Sequence, residues 1–440
     1  MVTRIVSSVP AEKVDHSPVL AESHARTPSN WSALLAVFDQ AVVSGSRFLA
    51  TILIGRFCGP TELGNYSIAF ASLIFAGCFL EALITTPYMV YSSDMTPEKR
   101  RVFAGGTLMH FLFLMICGSL ATAGIAATLL ANGATSLGWT LMVVAIVVPF
   151  SMLWEFARRF SFAHMEMHVA VIIDVSVATL QLAGILTLIR MNSLTASVAF
   201  VIIGASCGLV GALWLLISSQ RFSFHRPSVY PAWQQNWLLG KWMAASQIIG
   251  SLQGHVSHWI LAAIAGTFAT GVFAACQTIV LLSNPLILAM CNILGPRAAR
   301  ARANGGIRDV ARIVWKSAAL LLTATVAFCG LLILFRESVV AIIFGDEFGS
   351  CGSILTVMSF APLAWAVSAP VSVGLTVIER PAVNTHACLV GMLTTVLISL
   401  ATVHQLGALG GSWALLMGSI VIAVIQSAAF VKYTAAESLE

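Results

Sequence analysis

Residues 195–218 read TASVAFVIIGASCGLVGALWLLIS, an apolar stretch without one charged side chain. About 20 helical residues cross the hydrocarbon core of a bilayer, so this stretch predicts a membrane-spanning helix. The whole chain has the same character: 58% of its 440 residues are hydrophobic and 9% are charged, whereas about a quarter are charged in a soluble domain. This composition excludes a soluble enzyme, a nucleic-acid-binding protein and a disordered chain, and it indicates a polytopic membrane protein.

Twelve stretches are long and apolar enough to cross a bilayer as helices. Their predicted limits are 32–54, 66–91, 102–130, 138–157, 169–189, 195–218, 238–264, 270–295, 313–335, 353–378, 385–403 and 410–430. Helices are favoured over a barrel because barrel strands are shorter and alternate apolar with polar residues. The sequence therefore predicts an all-α membrane protein with twelve spans.

Lysine and arginine are distributed unevenly between the two ends of these spans. The N-terminal segment, the even-numbered loops and the C-terminus hold 19 of them, and the odd-numbered loops hold only Arg56, Arg190 and Arg336. Because basic residues collect on the cytoplasmic side, both termini are predicted to be cytoplasmic, in a bacterial inner membrane. Residues 1–30, which are rich in polar residues and proline, are predicted to be a disordered cytoplasmic tail.

The two halves of the chain repeat at an offset of 207 residues, since Ile52 to Tyr66 aligns with Trp259 to Phe273. Six spans separate the two segments, so the repeat is parallel, with a pseudo-two-fold axis along the membrane normal. The predicted architecture is two six-helix bundles. Its parts are the tail 1–30, an N lobe at 31–218, a cytoplasmic linker at 219–237, a C lobe at 238–432 and a C-terminal tail at 433–440.

The chain contains no P-loop, no G-x-S-x-G, no H-E-x-x-H and no potassium-filter motif. The longest predicted loops have about 20 residues, which is too short for a soluble catalytic domain. His255 and His258 are three residues apart on the seventh span, but a closed metal site needs further ligands. We therefore predict no enzyme activity, no metal site and no bound cofactor.

Ionisable residues of the first half fall inside predicted spans, among them Arg47, Asp39, Glu81 and Asp174. Each costs ~2.5–3.5 kcal/mol or more in the hydrocarbon region, so such groups usually face the bundle interior. The three carboxylates lie in the cytoplasmic half of their helices. Asp39 and Arg47 are eight residues apart and therefore share a face of the first helix.

Two interpretations of these charges stay open. In the functional one, Arg47 binds an anionic group such as a phosphate, and a carboxylate carries a proton or helps to bind Na⁺. In the structural one, Arg47 and a carboxylate neutralise each other and lock two helices together, and Asp174 caps or snorkels near its helix end. The ion-coupling candidates are Asp39, Glu81 and Asp174, and the substrate-binding candidates are Arg47 and Arg56.

The seventh span adds two uncharged candidates, Gln247 and Gln253, which either contact sugar hydroxyls or hydrogen-bond between helices. Glycine pairs with three residues between them occur on the sixth and the seventh span, at 204 and 208 and at 250 and 254. This spacing predicts close helix packing at both places.

Several short segments together resemble a known family. GRFCGPTELGNY at 55–66 resembles the segment between the first two helices of polysaccharide exporters in the multidrug/oligosaccharidyl-lipid/polysaccharide (MOP) superfamily. FGDEF at 344–348, ERP at 379–381 with Asn384, and the glycines between 407 and 411 also fit the family pattern. The resemblance spans about residues 32 to 430 and includes the order of the motifs, the twelve spans and the repeat.

The resemblance implies a flippase that moves a lipid-linked oligosaccharide, of the undecaprenyl-diphosphate type, from the cytoplasmic to the outer leaflet. In such relatives, two six-helix lobes form a V around a cationic cavity. The embedded charges of this chain are mostly acidic, which keeps the drug-exporting branch of the superfamily as an alternative. In that branch an acidic residue on the first helix commonly serves cation coupling, a part that Asp39 would take here.

The first hypothesis is therefore a secondary-active flippase or exporter for a lipid-linked oligosaccharide or polysaccharide precursor, working by alternating access. The alternative is a cation-coupled multidrug exporter of the same fold. A membrane-embedded glycosyltransferase or polymerase is a third hypothesis, which the absence of a polar catalytic loop disfavours. The expected partners are the lipid-linked glycan and membrane lipids, with polysaccharide polymerase or glycosyltransferase machinery as a candidate; the driving ion would be H⁺ or Na⁺, and no nucleic acid is expected.

Overall fold

A computed structural model describes residues 30–437 except Asp94, His225 and Ser350. The predicted N-terminal tail, apart from Asn30, and residues 438–440 lie outside the described residues. The described part of the chain is almost entirely helical.

Six predicted spans form the N lobe. Its helices are α1 (Asn30–Leu80), which continues through a π-helical turn (Glu81–Thr85) into α2 (Thr86–Ser92), then α3 (Pro97–Ala131), α4 (Thr135–Ala163), α5 (Met167–Arg190) and α6 (Ala196–Ile217). The first two spans follow each other without a loop, but the backbone leaves the helical region at Gly59, with φ 80° and ψ 177°. That conformation suits glycine, and Pro60 follows it, so the chain turns here into the second span.

The C lobe follows a 3₁₀ turn at Ser219–Arg221. Its helices are α7 (Arg226–Ile264), α8 (Gly266–Val280), α9 (Asn284–Leu334), α10 (Arg336–Phe344), α11 (Cys351–Met358), α12 (Ala361–Val377), α13 (Pro381–Leu406) and α14 (Ala408–Glu437). A 3₁₀ turn (Leu281–Ser283) joins α8 to α9, and another lies at Asp346–Phe348. The backbone of α9 bends at Gly306, with φ 71° and ψ −163°, between the eighth and ninth spans.

Helix length and hydropathy account for the twelve predicted spans. Among the described residues, nine helical segments are long and apolar enough to cross a membrane. Two of them have 56 and 69 residues, Val37–Ser92 and Gly266–Leu334, and each contains one of the glycine bends and therefore crosses twice. The less apolar α7 supplies the remaining span, which confirms the predicted all-α architecture.

Two parts of the structure are more helical than the sequence indicated. Helix α4 continues to Ala163, beyond the predicted limit of 157, so Arg158 and Arg159 lie on the helix and not in a loop. Most of the linker is also helical, because α7 begins at Arg226. On this helix Trp233 stacks on Trp237, with ring centroids 5.8 Å apart, and lies 5.2 Å from the ring of His110 on α3.

The two glycine pairs have different surroundings. A Cβ atom on Gly204 or Gly208 would lie 2.7 Å from Val147 or Phe150 of α4, which confirms close packing there. A Cβ on Gly250 or Gly254 would meet nothing within 4 Å, so the packing prediction was wrong for α7. The spacing cannot show which face of a helix has a neighbour.

Aromatic packing holds the end of α4 in place. The rings of Phe156 and Phe160 contact Trp214 of α6 and Phe222, and Tyr88 of α2 stacks on Phe160 at 5.1 Å. These side chains are almost completely buried. The α4 segment that carries Arg158 and Arg159 is therefore fixed from the side opposite to its charges.

Candidate functional site: a charge cluster inside the N lobe

The centre of the candidate site is Arg158 of α4, which lies between carboxylates from two other helices. Its Nε is 2.7 Å from Oδ2 of Asp174 on α5, and its Nη2 is 3.2 Å from Oδ2 of Asp39 on α1. The side chains of Arg158, Asp39 and Asp174 are 10%, 1% and 0% exposed. One guanidinium therefore joins three helices inside the lobe.

A second pair extends this cluster to the second span. Arg159 Nη1 is 3.0 Å from Glu81 Oε1, and Arg159 Nε is 2.7 Å from Glu155 Oε1. Glu155 also reaches Arg158 at 3.5 Å. Glu81 begins the π-helical turn, an irregularity that occurs frequently at functional sites. We call these six residues, Asp39, Glu81, Glu155, Arg158, Arg159 and Asp174, the charge cluster.

The charge cluster has more carboxyl than guanidinium groups and is incompletely paired. It contains four carboxylates and two guanidinium groups. Asp39 Oδ1 is buried and accepts no hydrogen bond from any described residue. A buried anionic oxygen without a donor is costly, so this atom is suited to accept a proton or a small cation.

Arg47 lies between aromatic rings and not beside Asp39, with which it shares a face of the first helix in the sequence pattern. Its guanidinium lies 5.7 Å from the ring centroid of Phe70 and 5.6 Å from that of Trp154, in two cation–π contacts. Within the described residues Arg47 forms no ion pair with Asp39, although both lie on α1, because its guanidinium lies on the two aromatic rings. Of the two open interpretations, neutralisation of Arg47 by a carboxylate therefore has no ion pair behind it among the described residues, and substrate binding by Arg47 stays a prediction.

A small cavity of about 50 Å³ lies beside Arg47, inside the N lobe. Ser151, Gln181 and Asp174 contribute to its lining, and the Oγ of Ser151 is buried without a hydrogen-bond partner. The volume suits a few water molecules and not a sugar or a diphosphate group. Trp154 Nε1 donates to Asp174 Oδ1 at 2.7 Å, which connects this cavity to the charge cluster.

The two lobes contact each other in both halves of the membrane. In the half that holds the described chain ends, a Cβ on Gly240 of α7 would lie 2.8 Å from the carbonyl oxygen of Ala82. The second contact lies at the opposite side, which we call the far side. A Cβ on Gly64 would lie 1.9 Å from the carbonyl oxygen of Thr267, and a Cβ on Gly271 would lie 1.7 Å from that of Pro60. Gly64 and Gly271, like Pro60 and Thr267, are 207 residues apart, so the repeated segment contacts its own copy. Only glycine permits this backbone approach, and the contact closes the far side.

The segment at 55–66 builds this junction and one end of the N lobe. Glu62 Oε2 accepts from the backbone N–H of Ala196 at 2.6 Å, and Asn65 Nδ2 donates to Ser136 Oγ at 2.8 Å. Arg56, expected to bind substrate, is exposed and donates through Nη1 to the carbonyl oxygen of Ile342 in the C lobe. Its contact in this structure is therefore between lobes.

The two candidate glutamines lie on α7, where both side chains are half-buried. The Oε1 of Gln253 accepts no hydrogen bond from the described part of the chain. Neither glutamine approaches the charge cluster through any contact that the structure shows, so the candidate residues divide between the two lobes.

The prediction from sequence missed Arg158 and Arg159 because the fourth span was ended at 157, and it overlooked Glu155, which lies inside that span. The signal was present in WEFARRF at 154–160, where glutamate precedes two arginines by three and four residues. Such spacing places opposite charges together on one helical face. Phe156 and Phe160 continue the apolar face through this segment, so the helix had no reason to end.

A two-lobed, twelve-span scaffold with embedded charges in one lobe is the architecture of a membrane transporter. No protein-family model matches the chain, and no curated protein matches it in sequence. Solved structures do match its fold.

One similar structure is an inward-facing conformation of a multidrug resistance MATE family transporter of the MOP superfamily. It has a TM-score of 0.76 and 14% identity over 90% of this chain and 95% of that one. Lipid II flippase MurJ in an inward closed conformation gives 0.73, with 12% identity over 91% and 87%. An outward-facing MATE family transporter gives 0.64, with 14% identity over 92% and 96%. The chain therefore has the fold of MOP superfamily transporters.

Proposed function

We propose that the chain is a secondary-active flippase or exporter that moves a lipid-linked oligosaccharide or polysaccharide precursor across the bacterial inner membrane. The observation that carries the proposal is the combination of a closed far side with a charge cluster in the opposite half of the N lobe. With cytoplasmic termini, this arrangement accepts its substrate from the cytoplasmic leaflet.

Alternating access follows from the symmetry of the lobe contact. Because Gly64 and Gly271 belong to the two copies of one repeat, a single rocking motion separates both at once and opens the far side. The N lobe moves as a rigid body in this proposal, since Arg158 joins α1, α4 and α5 within it. The work of the protein is thus movement of a substrate between leaflets, without a covalent step.

The charge cluster supplies the coupling in this proposal. A proton or Na⁺ that binds at Asp39 reduces the negative charge and weakens the hold of Asp39 on Arg158. The resulting change in the α1–α4 contact favours one lobe arrangement over the other, which is the requirement for coupling an ion to a conformational equilibrium. Asp174 and Glu81 remain coupling candidates because each pairs with one of the two arginines.

The candidates for substrate contacts lie in both lobes. Arg47 faces the small interior cavity, so it acts on the substrate through Trp154 and the charge cluster in this conformation. Gln253, with its unpartnered oxygen, and Gln247 are the candidates for hydrogen bonds to sugar hydroxyls. The likeness to a Lipid II flippase supports a lipid-linked substrate at the level of the fold.

A clean deletion strain tests the proposal through two pools measured together, surface polysaccharide and lipid-linked intermediate in the cytoplasmic leaflet. We expect loss of surface glycan with accumulation of the intermediate, restored by the wild-type gene. Normal amounts of both pools would contradict the proposal.

A second candidate function is a cation-coupled multidrug exporter. The observation that favours it is the excess of carboxylates over guanidinium groups in the charge cluster, because an acidic site attracts cationic compounds. In the same deletion strain, normal glycan with new sensitivity to cationic dyes would support this function instead.

A further inference from the structure

The outer wall of the N lobe contains an apolar groove that the transport mechanism above does not use. It has a volume of about 210 Å³ and lies where the second span packs against α3 and α4. Phe79 and Leu80 form one wall, Leu114 and Gly118 of α3 form another, and Met152 lies on α4. Its lining is almost entirely apolar, whereas the small cavity beside Arg47 is partly lined by polar side chains.

The groove opens toward the hydrocarbon of the bilayer. Cys117 on its α3 wall is exposed, and Phe113, Ile116 and Leu120 of the same helix are 65%, 59% and 67% exposed. These residues lie near the middle of the 35-residue α3, which places the groove at hydrocarbon depth. Only hydrocarbon chains are present at that depth, so the occupant is a lipid tail.

The groove also lies next to the exposed edge of the charge cluster. Leu80 immediately precedes Glu81, and Met152 is seven residues before Arg159 on α4, a rise of about 10 Å. The Glu81 and Arg159 side chains are 28% and 26% exposed, whereas Asp39 and Asp174 are fully enclosed. A polar head at Glu81 and Arg159 therefore places an attached chain directly over the groove.

We propose that this groove binds the hydrocarbon chain of the lipid-linked substrate, an isoprenoid chain joined to a phosphorylated glycan. The inference rests on the proposed function and extends it with a tail-binding site. In this arrangement the head group lies beside Glu81 and Arg159, on the side of the membrane that holds the described chain ends, and the tail stays in the bilayer. Binding of the tail in the groove therefore positions the substrate next to the N lobe, which carries the charge cluster.

The first test fills the groove. A Cβ on Gly118 would lie 3.5 Å from Val148, so a small side chain fits and a larger one extends into the groove. We expect Gly118→Leu to reduce transport of a polyprenyl-diphosphate-linked sugar in reconstituted vesicles by about tenfold, the equivalent of two methylene groups excluded from the site. The matched control is Gly124→Leu, six residues along α3 at an exposed position with nothing within 4 Å, which should leave transport unchanged.

The second test identifies the occupant. A variant that keeps Cys117 as its only cysteine carries a benzophenone maleimide there, in phosphatidylglycerol vesicles that contain the polyprenyl-diphosphate-linked sugar as a minor component. We expect photo-adducts with the polyprenyl chain far above its share of the lipid. Adducts in proportion to lipid abundance would overturn the inference and show an annular phospholipid site, as would equal transport by the Gly118→Leu and Gly124→Leu variants.

The two proposals fail separately in these vesicles. Transport by the wild-type chain with proportional adducts removes the groove inference and leaves the proposed function. Absence of wild-type transport contradicts the proposed function, and the adducts still show whether the groove selects an isoprenoid chain over phospholipid.

Discussion

The two lobes share one scaffold but connect their helices by different chemistry. The N lobe uses buried ions, with Arg158 between Asp39 and Asp174. The C lobe uses neutral groups, since Gln426 of α14 accepts from Ser368 Oγ at 2.6 Å and donates to Asn384 Oδ1 at 3.1 Å.

The two lobes also differ at positions that the repeat relates to each other. The position that corresponds to Arg47 at an offset of 207 residues is Gly254, which has no neighbour within 4 Å of a built Cβ. Buried ions are costly and respond to protons and cations, whereas an amide network does neither. Under the proposed function, this difference places ion coupling in the N lobe, with the C lobe as its neutral counterpart.

Removal of the central cation should have the largest effect. Arg158→Met leaves Asp39 and Asp174 buried without their partner, and the free energy of unfolding should fall by about 3–5 kcal/mol. Denaturation of the purified protein in detergent measures the loss. Adding Asp174→Asn to this variant should recover part of it, because one uncompensated charge is then gone; no recovery would contradict the assigned pairing.

Substitutions at the far-side junction test whether the two lobes contribute equally to a contact that contains no charged groups. Gly64→Ala and Gly271→Ala each place a methyl group against a backbone carbonyl, and overpacking of this kind costs about 1–3 kcal/mol. We expect both variants to shift the population toward far-side opening to a similar extent, measured as a spin-label distance between the lobes. Gly250→Ala is the control, and a closed far side in both variants would refute the junction.

Disruption of the neutral network should cost less than loss of Arg158. Gln426→Leu leaves Asn384 Oδ1 and Ser368 Oγ without their hydrogen bonds to Gln426, which costs about 1–3 kcal/mol. The same denaturation experiment checks the value. A loss as large as that of Arg158→Met would remove the energetic distinction between the lobes.

The smallest effect is expected at an ion pair outside the membrane. A hydrogen bond from Arg221 lowers the pKa of Glu166 below its ordinary value of 4.5. Stability from this pair is therefore present above that value and is lost as the pH falls through the depressed pKa. Because both side chains are partly exposed, Arg221→Ala should cost about 0–1 kcal/mol at neutral pH and nothing in acid.

A pH series of unfolding measurements on wild type and Arg221→Ala detects that difference. A stability gap that widens as the pH falls would show that the carboxylate is not held in its charged form by Arg221.

Sequence patterns were sufficient for the scaffold and insufficient for the site. Long apolar stretches and basic loops reflect the membrane environment and therefore predict the spans. The 207-residue offset reflects the internal symmetry and therefore predicts the two lobes. The same patterns placed Asp39, Glu81 and Asp174 at one depth, and the structure does bring all three into the charge cluster.

The partners of these carboxylates depended on tertiary packing. Arg47 shares a helix with Asp39, but Phe70 and Trp154 hold its guanidinium elsewhere. Arg158 pairs with Asp39 across 119 residues of chain, a contact that no local spacing encodes. The segment at 55–66 could be interpreted from sequence because its residues form a local turn and contact the repeated copy of the same segment.

The most direct test of ion coupling in the N lobe is gradient-driven transport of a polyprenyl-diphosphate-linked sugar in reconstituted vesicles. Wild type, the double variant Asp39→Asn with Asp174→Asn, and Gln426→Leu are compared with and without an imposed proton or sodium gradient. We predict that wild type and Gln426→Leu respond to the gradient, whereas the N-lobe variant does not. A gradient response that survives in the N-lobe variant would contradict the account.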